Sequence, residues 1–211
     1  MHEFCYVPKS EYELAMYRVE KMFEAVNSLL DTEYQFEPEL VGSAKYGMVT
    51  TEVNGNRGFD LDYFLQLSYS KRIERDAKSV KDTIRGAFDR VATAGRYGYA
   101  EDSTSALTVK VIDPEHSKIV HSCDLAIGFL DKSGNRYVLK HDKESGNYNY
   151  CKSEDLSVFD EKYKILRQIK GATKDLKNEY LALKSMDSNY RRPSYQLFKQ
   201  AVNNVLNWYL Q

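Results

Sequence analysis

Two aspartates, Asp60 and Asp62, stand one residue apart in the apolar stretch at 58–65. Side chains alternate along a β-strand, so residues i and i+2 share a face, with Cα atoms about 7 Å apart. Carboxylates placed in this way supply the oxygen ligands that Mg²⁺ prefers, an arrangement that phosphoryl chemistry uses. The spacing therefore predicts a Mg²⁺ site on one face of a strand, with Mn²⁺ as an alternative cation.

Asp124 is the natural third acid for such a site. It lies in the apolar run at 119–127, where a carboxylate is costly to bury unless it is paired or bound to a cation. A salt bridge or a strand-end position would also account for it. A carboxylate from a second strand is what a site for two metal ions needs, and we therefore include Asp124 in the predicted site.

A Gly-Ser pair, Gly42 and Ser43, closes the short apolar segment Leu40–Val41 that precedes the aspartates. Taken alone, the pair is better explained as a strand-to-helix turn with Ser43 as N-cap. Because the pair precedes the aspartate strand, we favour a role beyond this turn.

The order of apolar patterns predicts an α+β fold, in which a mixed β-sheet is flanked by helices and followed by a helical C-terminal part. Helices are predicted at 10–30, with Ser10 as N-cap, at 70–90 up to a break near Gly95, and through most of the chain after residue 156. Strands are predicted at 40–41, 58–67, 106–112, 119–127 and 137–139, with a loop at 141–150. We predict two parts, a core with its N-terminal helix (1–155) and a helical subdomain (156–211).

The segments 41–47 (VGSAKYG) and 59–63 (FDLDY), together with the later Asp124, resemble the DNA polymerase beta-type nucleotidyltransferase superfamily. Within it they are most similar to the branch of oligoadenylate synthases, cyclic GMP-AMP synthase and their bacterial relatives. The likeness covers about residues 11–139. It implies a nucleotidyltransferase core that moves a nucleoside monophosphate, AMP from ATP, to an acceptor hydroxyl and releases pyrophosphate.

The resemblance also implies a role for each matching residue. Asp60 and Asp62 would bind both Mg²⁺ ions, and Asp124 would hold the second ion and help deprotonate the acceptor hydroxyl. Gly42 and Ser43 would bind the nucleotide, since Gly42 lets the backbone approach the phosphates and the Ser43 hydroxyl can donate to them at a helix N-terminus. Lysines of the helical part would clamp the outer phosphates and tyrosines would stack on the base. The candidates for these two tasks are Lys174, Lys177, Lys184, Tyr180, Tyr190 and Tyr195.

Composition narrows the choice of partners and location. The chain has 30 basic and 31 acidic residues, so its net charge is −1, which disfavours a long nucleic acid as acceptor and a membrane surface as partner. Its three cysteines lack a CxxC spacing, and no secretory leader opens the sequence, so we predict a cytoplasmic location. His121 and Cys123 lack a second ligand pair, which argues against a zinc site.

Two alternatives from different classes remain at this point, and one of them is a Ca²⁺-binding structural domain. The same fold could serve as a catalytically silent module that binds a nucleotide or a protein partner. The presence of all three aspartates argues against this alternative, because a binding module has no need of two metal ions.

Overall fold

The structure, a computed structural model, describes residues 2–92, 97–187 and 192–210. Two short 3-10 turns, Thr32–Tyr34 and Ala44–Tyr46, accompany the regular elements. The elements in chain order are β1 (Phe4–Tyr6), α1 (Lys9–Ser28), β2 (Phe36–Val41), β3 (Thr50–Glu52), β4 (Phe59–Leu67), α2 (Lys71–Arg75), α3 (Ala77–Ala92), β5 (Glu101–Asp102), β6 (Leu107–Asp113), β7 (Lys118–Leu130), β8 (Arg136–Asp142), β9 (Asn147–Lys152), α4 (Ser157–Gln168), α5 (Ala172–Met186) and α6 (Ser194–Leu210).

A mixed seven-stranded sheet forms the centre of the molecule. Its strands follow the order β2-β4-β7-β6-β5. In addition, β8 pairs with the C-terminal end of β7, and β9 pairs with β8. The β4–β7 pair is parallel, and the other pairs are antiparallel. A parallel neighbour requires a long crossover, which α2, α3, β5 and β6 provide between β4 and β7. The predicted α+β fold with a mixed sheet is confirmed.

The residues of β4 alternate between a buried face and a cleft face. Leu61, Tyr63 and Leu65 are nearly inaccessible and pack against apolar residues of α1 and α3. Phe23 of α1 lies at the centre of this contact, with its ring 5.0 Å from that of Tyr63 and 6.2 Å from that of Phe88. Because each buried large side chain contributes roughly 1.5–3 kcal/mol, this layer fixes which face of β4 can carry charge.

Helices α4, α5 and α6 pack around a second apolar cluster. Phe198 lies in its centre, with its ring 5.2 Å from that of Tyr46 and 5.6 Å from that of Tyr180. The Tyr46 hydroxyl donates to Asp160 Oδ1 at 2.5 Å, so the turn that follows the Gly-Ser pair is fastened to α4. The division of the chain at residue 155 stays a prediction, since Tyr46 and Met48 belong to the earlier part but pack in this second cluster.

The start of α1 differs from the sequence prediction. The helix begins at Lys9, and the N-cap position is occupied by Pro8 without a side-chain hydrogen bond, so the predicted Ser10 cap is wrong. The fixed φ of proline suits the entry to a helix. Leu29 continues the helical spacing of the buried Ala15, Val19, Met22 and Val26, but it lies just beyond the helix and is 48% exposed, while Leu30 is buried.

Three other segments also differ from the predictions. Strand β2 extends back to Phe36 through Pro38, which an edge strand tolerates because one side of its ladder is unpaired. The predicted helix at 70–90 is interrupted at Asp76, whose carboxylate accepts a hydrogen bond from the Ser79 backbone at 3.1 Å. Most of the predicted loop at 141–150 is the β8–β9 hairpin. The predicted break at Gly95 lies outside the described residues.

A buried ion pair joins α3 to the far edge of the sheet. Lys81 is 2% exposed, and its Nζ lies 2.5 Å from Asp102 Oδ1 and 2.9 Å from the Ser103 carbonyl oxygen. Replacing Asp102 with alanine is expected to lower the free energy of unfolding by about 3–5 kcal/mol, because a buried ammonium loses its counter-charge. Urea unfolding followed by circular dichroism measures the loss.

The control is Asp82→Ala, which breaks the exposed pair between Lys78 and Asp82 and is expected to cost less than about 1 kcal/mol. Equal effects of the two substitutions would show that burial of Lys81 does not decide the cost.

Candidate active site

Six polar side chains form a block on one face of three neighbouring strands. Asp60 of β4 is aligned with Ser122 of β7, and Asp62 with Asp124. The pairing of β6 with β7 aligns one further residue, from β6, with each of these two pairs. Residues directly opposite one another on paired strands project to the same side of the sheet. The members of this polar block are Asp60, Ser122 and Lys110 in one row, and Asp62, Asp124 and Thr108 in the next.

The polar block depends on apolar residues that alternate with it. Leu61, Cys123 and Val109 lie between its two rows and are at most 2% exposed on the opposite face. A one-residue slip of β4 would exchange the two faces and bury the carboxylates, so the apolar layer holds the register. The structure thus brings Asp60, Asp62 and Asp124 to one surface from two parallel strands.

Gly42 lies directly against Asp62. The φ angle of Gly42 is +65°, and a Cβ atom at this position would lie 2.2 Å from Asp62 Oδ2. The pairing of Val41 with Asp62 on β2 and β4 places the two residues together. The resemblance predicts that Gly42 lets the backbone approach a phosphate. In the structure, the absence of a side chain at Gly42 also leaves the space that the Asp62 carboxylate occupies.

Replacing Gly42 with alanine is expected to displace the Asp62 carboxylate and to abolish most of any metal-dependent activity. The strain of a positive φ adds a stability cost of about 1–2 kcal/mol. Gly146→Ala is the matched control, because Gly146 has a φ of +71° but open space around it. Thermal unfolding and Mn²⁺ binding of both variants separate the two effects, and similar Mn²⁺ affinities would contradict the close packing.

Ser43 is 8% exposed and lines the same cleft as the carboxylates. Its carbonyl oxygen accepts hydrogen bonds from the backbone of Tyr46 at 3.1 Å and of Met48 at 3.0 Å, which closes the turn. Its hydroxyl makes no capping bond to the 3-10 turn that begins at Ala44. The plain capping role that the sequence left open for this side chain is therefore not observed.

Charge repulsion and burial act together on the aspartates. Burial raises the pKa of Asp62 to about 7, and the neighbouring Asp124 and Asp60 carboxylates add to the rise, which Lys184 opposes. Burial also raises the pKa of Asp124, against a hydrogen bond from Thr108. Clustered carboxylates with raised pKa values are typical of sites that gain stability from a bound cation.

Lys184 differs from the other two lysines considered as phosphate ligands in its position and contacts. Its Nζ donates to Thr50 Oγ1 at 2.8 Å and to Ser194 Oγ at 3.1 Å, and it lines the cleft. Burial lowers the pKa of Lys184, while the charges of Asp60 and Asp62 oppose that change. Lys174 and Lys177 are exposed on α5, away from the cleft wall.

The cleft between the polar block and the C-terminal helices has a volume of about 630 Å³. This volume lies in the range of small-molecule sites, roughly 300–1,000 Å³. Its wall includes the three aspartates, Gly42, Ser43 and Lys184, and it also carries three arginines that the sequence analysis did not select, namely Arg57, Arg136 and Arg192. Cations facing carboxylates in one cleft are suited to a triphosphate that arrives with a metal ion.

The three tyrosines considered for base stacking have different positions. Tyr195 lines the cleft. Tyr180 is completely buried beneath it, so the prediction that Tyr180 stacks on a base is wrong. The reason is that Tyr180 lies on the apolar stripe of α5 and packs against Phe198. Tyr190 lies outside the described residues.

Histidine and cysteine form no metal site in the sheet. His121 is 2% exposed and stacks on the Phe59 ring at 5.4 Å, and burial lowers its pKa to about 4, so it is a neutral core residue. Among the described residues, the one group whose ligand atoms all lie within 4.8 Å of each other is Asp113, Glu115 and His116. Hydrogen bonds of an exposed turn explain that group.

The ligand atoms of Asp60, Asp62 and Asp124 do not all lie within 4.8 Å of one another. These three carboxylates are therefore more widely spaced than the ligand atoms of Asp113, Glu115 and His116. Their mutual repulsion and the spacing along β4 account for the separation.

Three residues of the polar block, Ser122, Thr108 and Lys110, were missed by the sequence analysis. Ser122 shares its face with Asp124 by simple alternation, which the sequence could have indicated. Thr108 is aligned with Asp124 only through the β6–β7 register, for which the sequence carries no signal. Arg136 and Arg192 of the cleft wall were missed for the same reason, because they come from segments that are distant in the chain from Asp60 and Asp62.

The sequence comparisons leave the family open. No protein-family model matches the chain, and no curated protein matches it significantly. None of the helices in the described part of the chain combines the length and the apolar character that crossing a bilayer requires.

Solved structures, by contrast, match almost the whole fold. A cyclic AMP-GMP synthase, DncV of Vibrio cholerae, in complex with nonhydrolyzable GTP matches with a TM-score of 0.64 and 13% identity over 96% of this chain and 68% of that one. The CD-NTase CdnG of Bradyrhizobium diazoefficiens in complex with GTP matches with a TM-score of 0.63 and 11% identity, over 95% and 66%.

A GTP-bound form of DncV from Vibrio cholerae matches with a TM-score of 0.57 and 14% identity. The chain covers only 52% of that structure, and 94% of its own residues are matched. Identities this low establish likeness of fold. The predicted nucleotidyltransferase-type fold is thereby confirmed, and the chain has the fold of the CD-NTases DncV and CdnG.

Proposed function

We propose that the protein is a Mg²⁺-dependent nucleotidyltransferase that moves AMP from ATP to an acceptor hydroxyl and releases pyrophosphate. The observation that carries the proposal is the alignment of Asp62 with Asp124 on adjacent parallel strands, with Asp60 on the same face. Gly42 and Ser43 lie at the edge of the same cleft. The fold likeness to DncV and CdnG supports the assignment.

The donor set fits divalent cations of the hard type. Asp60, Asp62 and Asp124 offer oxygen ligands only. Burial, and then the charges of Asp124 and Asp60, raise the pKa of Asp62, and a bound cation would stabilise its ionised form. Asp60 and Asp62 would hold both ions, and Asp124 would hold the second. When bound, Mg²⁺ or Mn²⁺ would polarise the phosphates and lower the pKa of the acceptor hydroxyl.

The chain's own residues would orient the reactants for in-line displacement. Asp124 would accept the proton of the acceptor hydroxyl while the oxygen of that hydroxyl forms a bond to the α-phosphorus. The bond from that phosphorus to the bridging oxygen of pyrophosphate breaks in the same step. Lys184 and the cleft arginines would bind the departing pyrophosphate, and the Ser43 hydroxyl would donate to a phosphate oxygen.

A second nucleotide is the acceptor class that we favour. A neighbouring cavity of about 570 Å³ shares Gly42, Arg136 and Tyr195 with the cleft, which leaves room for a second ligand of similar size. DncV is described as a cyclic AMP-GMP synthase, and its fold is that of this chain. The formal charge of −1 supports a short acceptor over a long nucleic acid.

Pyrophosphate release from ATP tests the proposal. We expect release with Mg²⁺ or Mn²⁺ when ATP is supplied with GTP or with a second ATP, and none after chelation of divalent ions. Asp60→Asn serves as the inactive control. Absence of release with every nucleotide pair, in a protein that still binds ATP, would favour the silent binding module instead.

We also propose a cytoplasmic location. The three cysteines are free thiols, and Cys123 is buried in the core. Reduced cysteines suit a reducing compartment. Labelling of Cys5, the exposed thiol, in intact cells by a permeant but not an impermeant reagent would support this location.

A further inference from the structure

Each of two cleft carboxylates receives a hydroxyl from a neighbouring strand. Ser122 Oγ donates to Asp60 Oδ1, and Thr108 Oγ1 donates to Asp124 Oδ1 at 2.5 Å. Both donors are the direct cross-strand partners of the carboxylates that they bind. In each case the hydroxyl takes one carboxylate oxygen, so the other oxygen remains for a ligand.

The two hydroxyls are themselves held firmly. Ser122 is 8% exposed and lies on β7 between Asp60 of β4 and Lys110 of β6. Thr108 is β-branched, so its χ1 angle is restricted in a strand. The Lys110 ammonium, on the same face, pairs with Glu101 at 2.7 Å. The donors are thus fixed by sheet structure and do not depend on a flexible loop.

Asp62 is held in another way. Its Oδ2 lies against Gly42, whose missing side chain leaves the space. Each of the three carboxylates therefore has its own means of orientation, a hydroxyl for Asp60, a hydroxyl for Asp124 and close backbone packing for Asp62.

We infer that Ser122 and Thr108 are positioning residues that orient Asp60 and Asp124 for binding divalent cations. This inference rests on the proposed function, since it assigns a metal to the same carboxylates. Partners that orient metal ligands contribute about 10–100-fold to metal affinity. The hydroxyls touch neither nucleotide nor acceptor in this scheme, and their effect passes through the carboxylates.

The test measures Mn²⁺ affinity by electron paramagnetic resonance, with and without a nonhydrolysable ATP analogue. Thr108→Val keeps the side-chain shape and Ser122→Ala removes a single oxygen, and each is expected to weaken Mn²⁺ binding about 10-fold. Thr108→Ser and Ser122→Thr keep the hydroxyl and are expected to retain affinity. Ser28→Ala, which removes a remote hydroxyl bonded to Ala25 on α1, is the matched control.

Thermal unfolding of every variant shows whether it is folded. Unchanged Mn²⁺ affinity in folded Thr108→Val and Ser122→Ala would overturn the inference. Asp124→Asn separates this result from failure of the proposed function. If Asp124→Asn also binds Mn²⁺ as tightly as the unsubstituted protein, the proposed metal site is wrong. If Asp124→Asn weakens Mn²⁺ binding but Thr108→Val and Ser122→Ala do not, only the positioning role is refuted.

Discussion

Asp62→Asn is expected to abolish pyrophosphate release while making the protein more stable. The substitution removes one of the ligands proposed for both metal ions, and loss of a group that acts at the reacting centre typically costs at least about 10³-fold in rate. It also removes a negative charge from a cluster whose members repel one another. At about pH 8 without divalent ions, we expect the free energy of unfolding to rise by roughly 1–3 kcal/mol.

The pH dependence of that gain follows from the direction of the pKa shift. The pKa of Asp62 rises from 3.8 to about 7 on folding, mainly through burial and then through Asp124 and Asp60. A group with a raised folded pKa contributes stability that is present below its unfolded pKa and lost as pH rises through the folded value. The gain in the free energy of unfolding from Asp62→Asn should therefore be small near pH 4 and should increase up to about pH 7.

Urea unfolding at several pH values, with a chelator present, measures this difference between the two proteins. Asp82→Asn, on the exposed face of α3, is the control for a lost carboxylate outside the cluster. An unchanged difference between the Asp62→Asn and unsubstituted proteins from pH 4 to pH 8 would contradict the electrostatic explanation. Full pyrophosphate release by Asp62→Asn would remove Asp62 from the metal site.

Lys184→Met has the second largest expected effect, a loss of ATP affinity of about 10–100-fold. A charge-assisted hydrogen bond contributes about 1.5–3 kcal/mol, which corresponds to that range. The substitution also removes the cation that opposes the raised pKa of Asp62, so Mn²⁺ binding should require a higher pH than in the unsubstituted protein. Titration of ATP with Mg²⁺ by calorimetry, and of Mn²⁺ at several pH values, measures both effects.

Lys177→Met is the matched control for this experiment. Lys177 lies on the same helix, but its ammonium is exposed and lies 5.3 Å from the centre of the Tyr6 ring, outside the cleft wall. The control should leave ATP affinity within about twofold, because an exposed cation contributes little. Equal losses in both variants would indicate a general effect of charge and would exclude a specific contact from Lys184.

The C-terminal helices illustrate the limit of sequence reasoning about a site built from distant parts. Lys174, Lys177 and Lys184 are alike in type and belong to one helix, so the sequence had no means of choosing among them. The choice follows from the contact of α5 with β1 and from the position of Thr50 and Ser194 on either side of the Lys184 ammonium. A similar argument applies to Arg136, which reaches the cleft from the start of β8.

Local patterns by themselves determined that Asp60 and Asp62 share a strand face, that a turn at Gly42 and Ser43 ends the preceding strand, and that the fold is α+β, because these features depend on neighbours in the chain. Only the tertiary structure decided that Asp124 lies beside Asp62 and that Thr108 and Ser122 donate hydrogen bonds to the carboxylates. The physical reason is register. A parallel pairing of β4 with β7 joins residues 62 positions apart in the chain, and no local pattern encodes which of them meet.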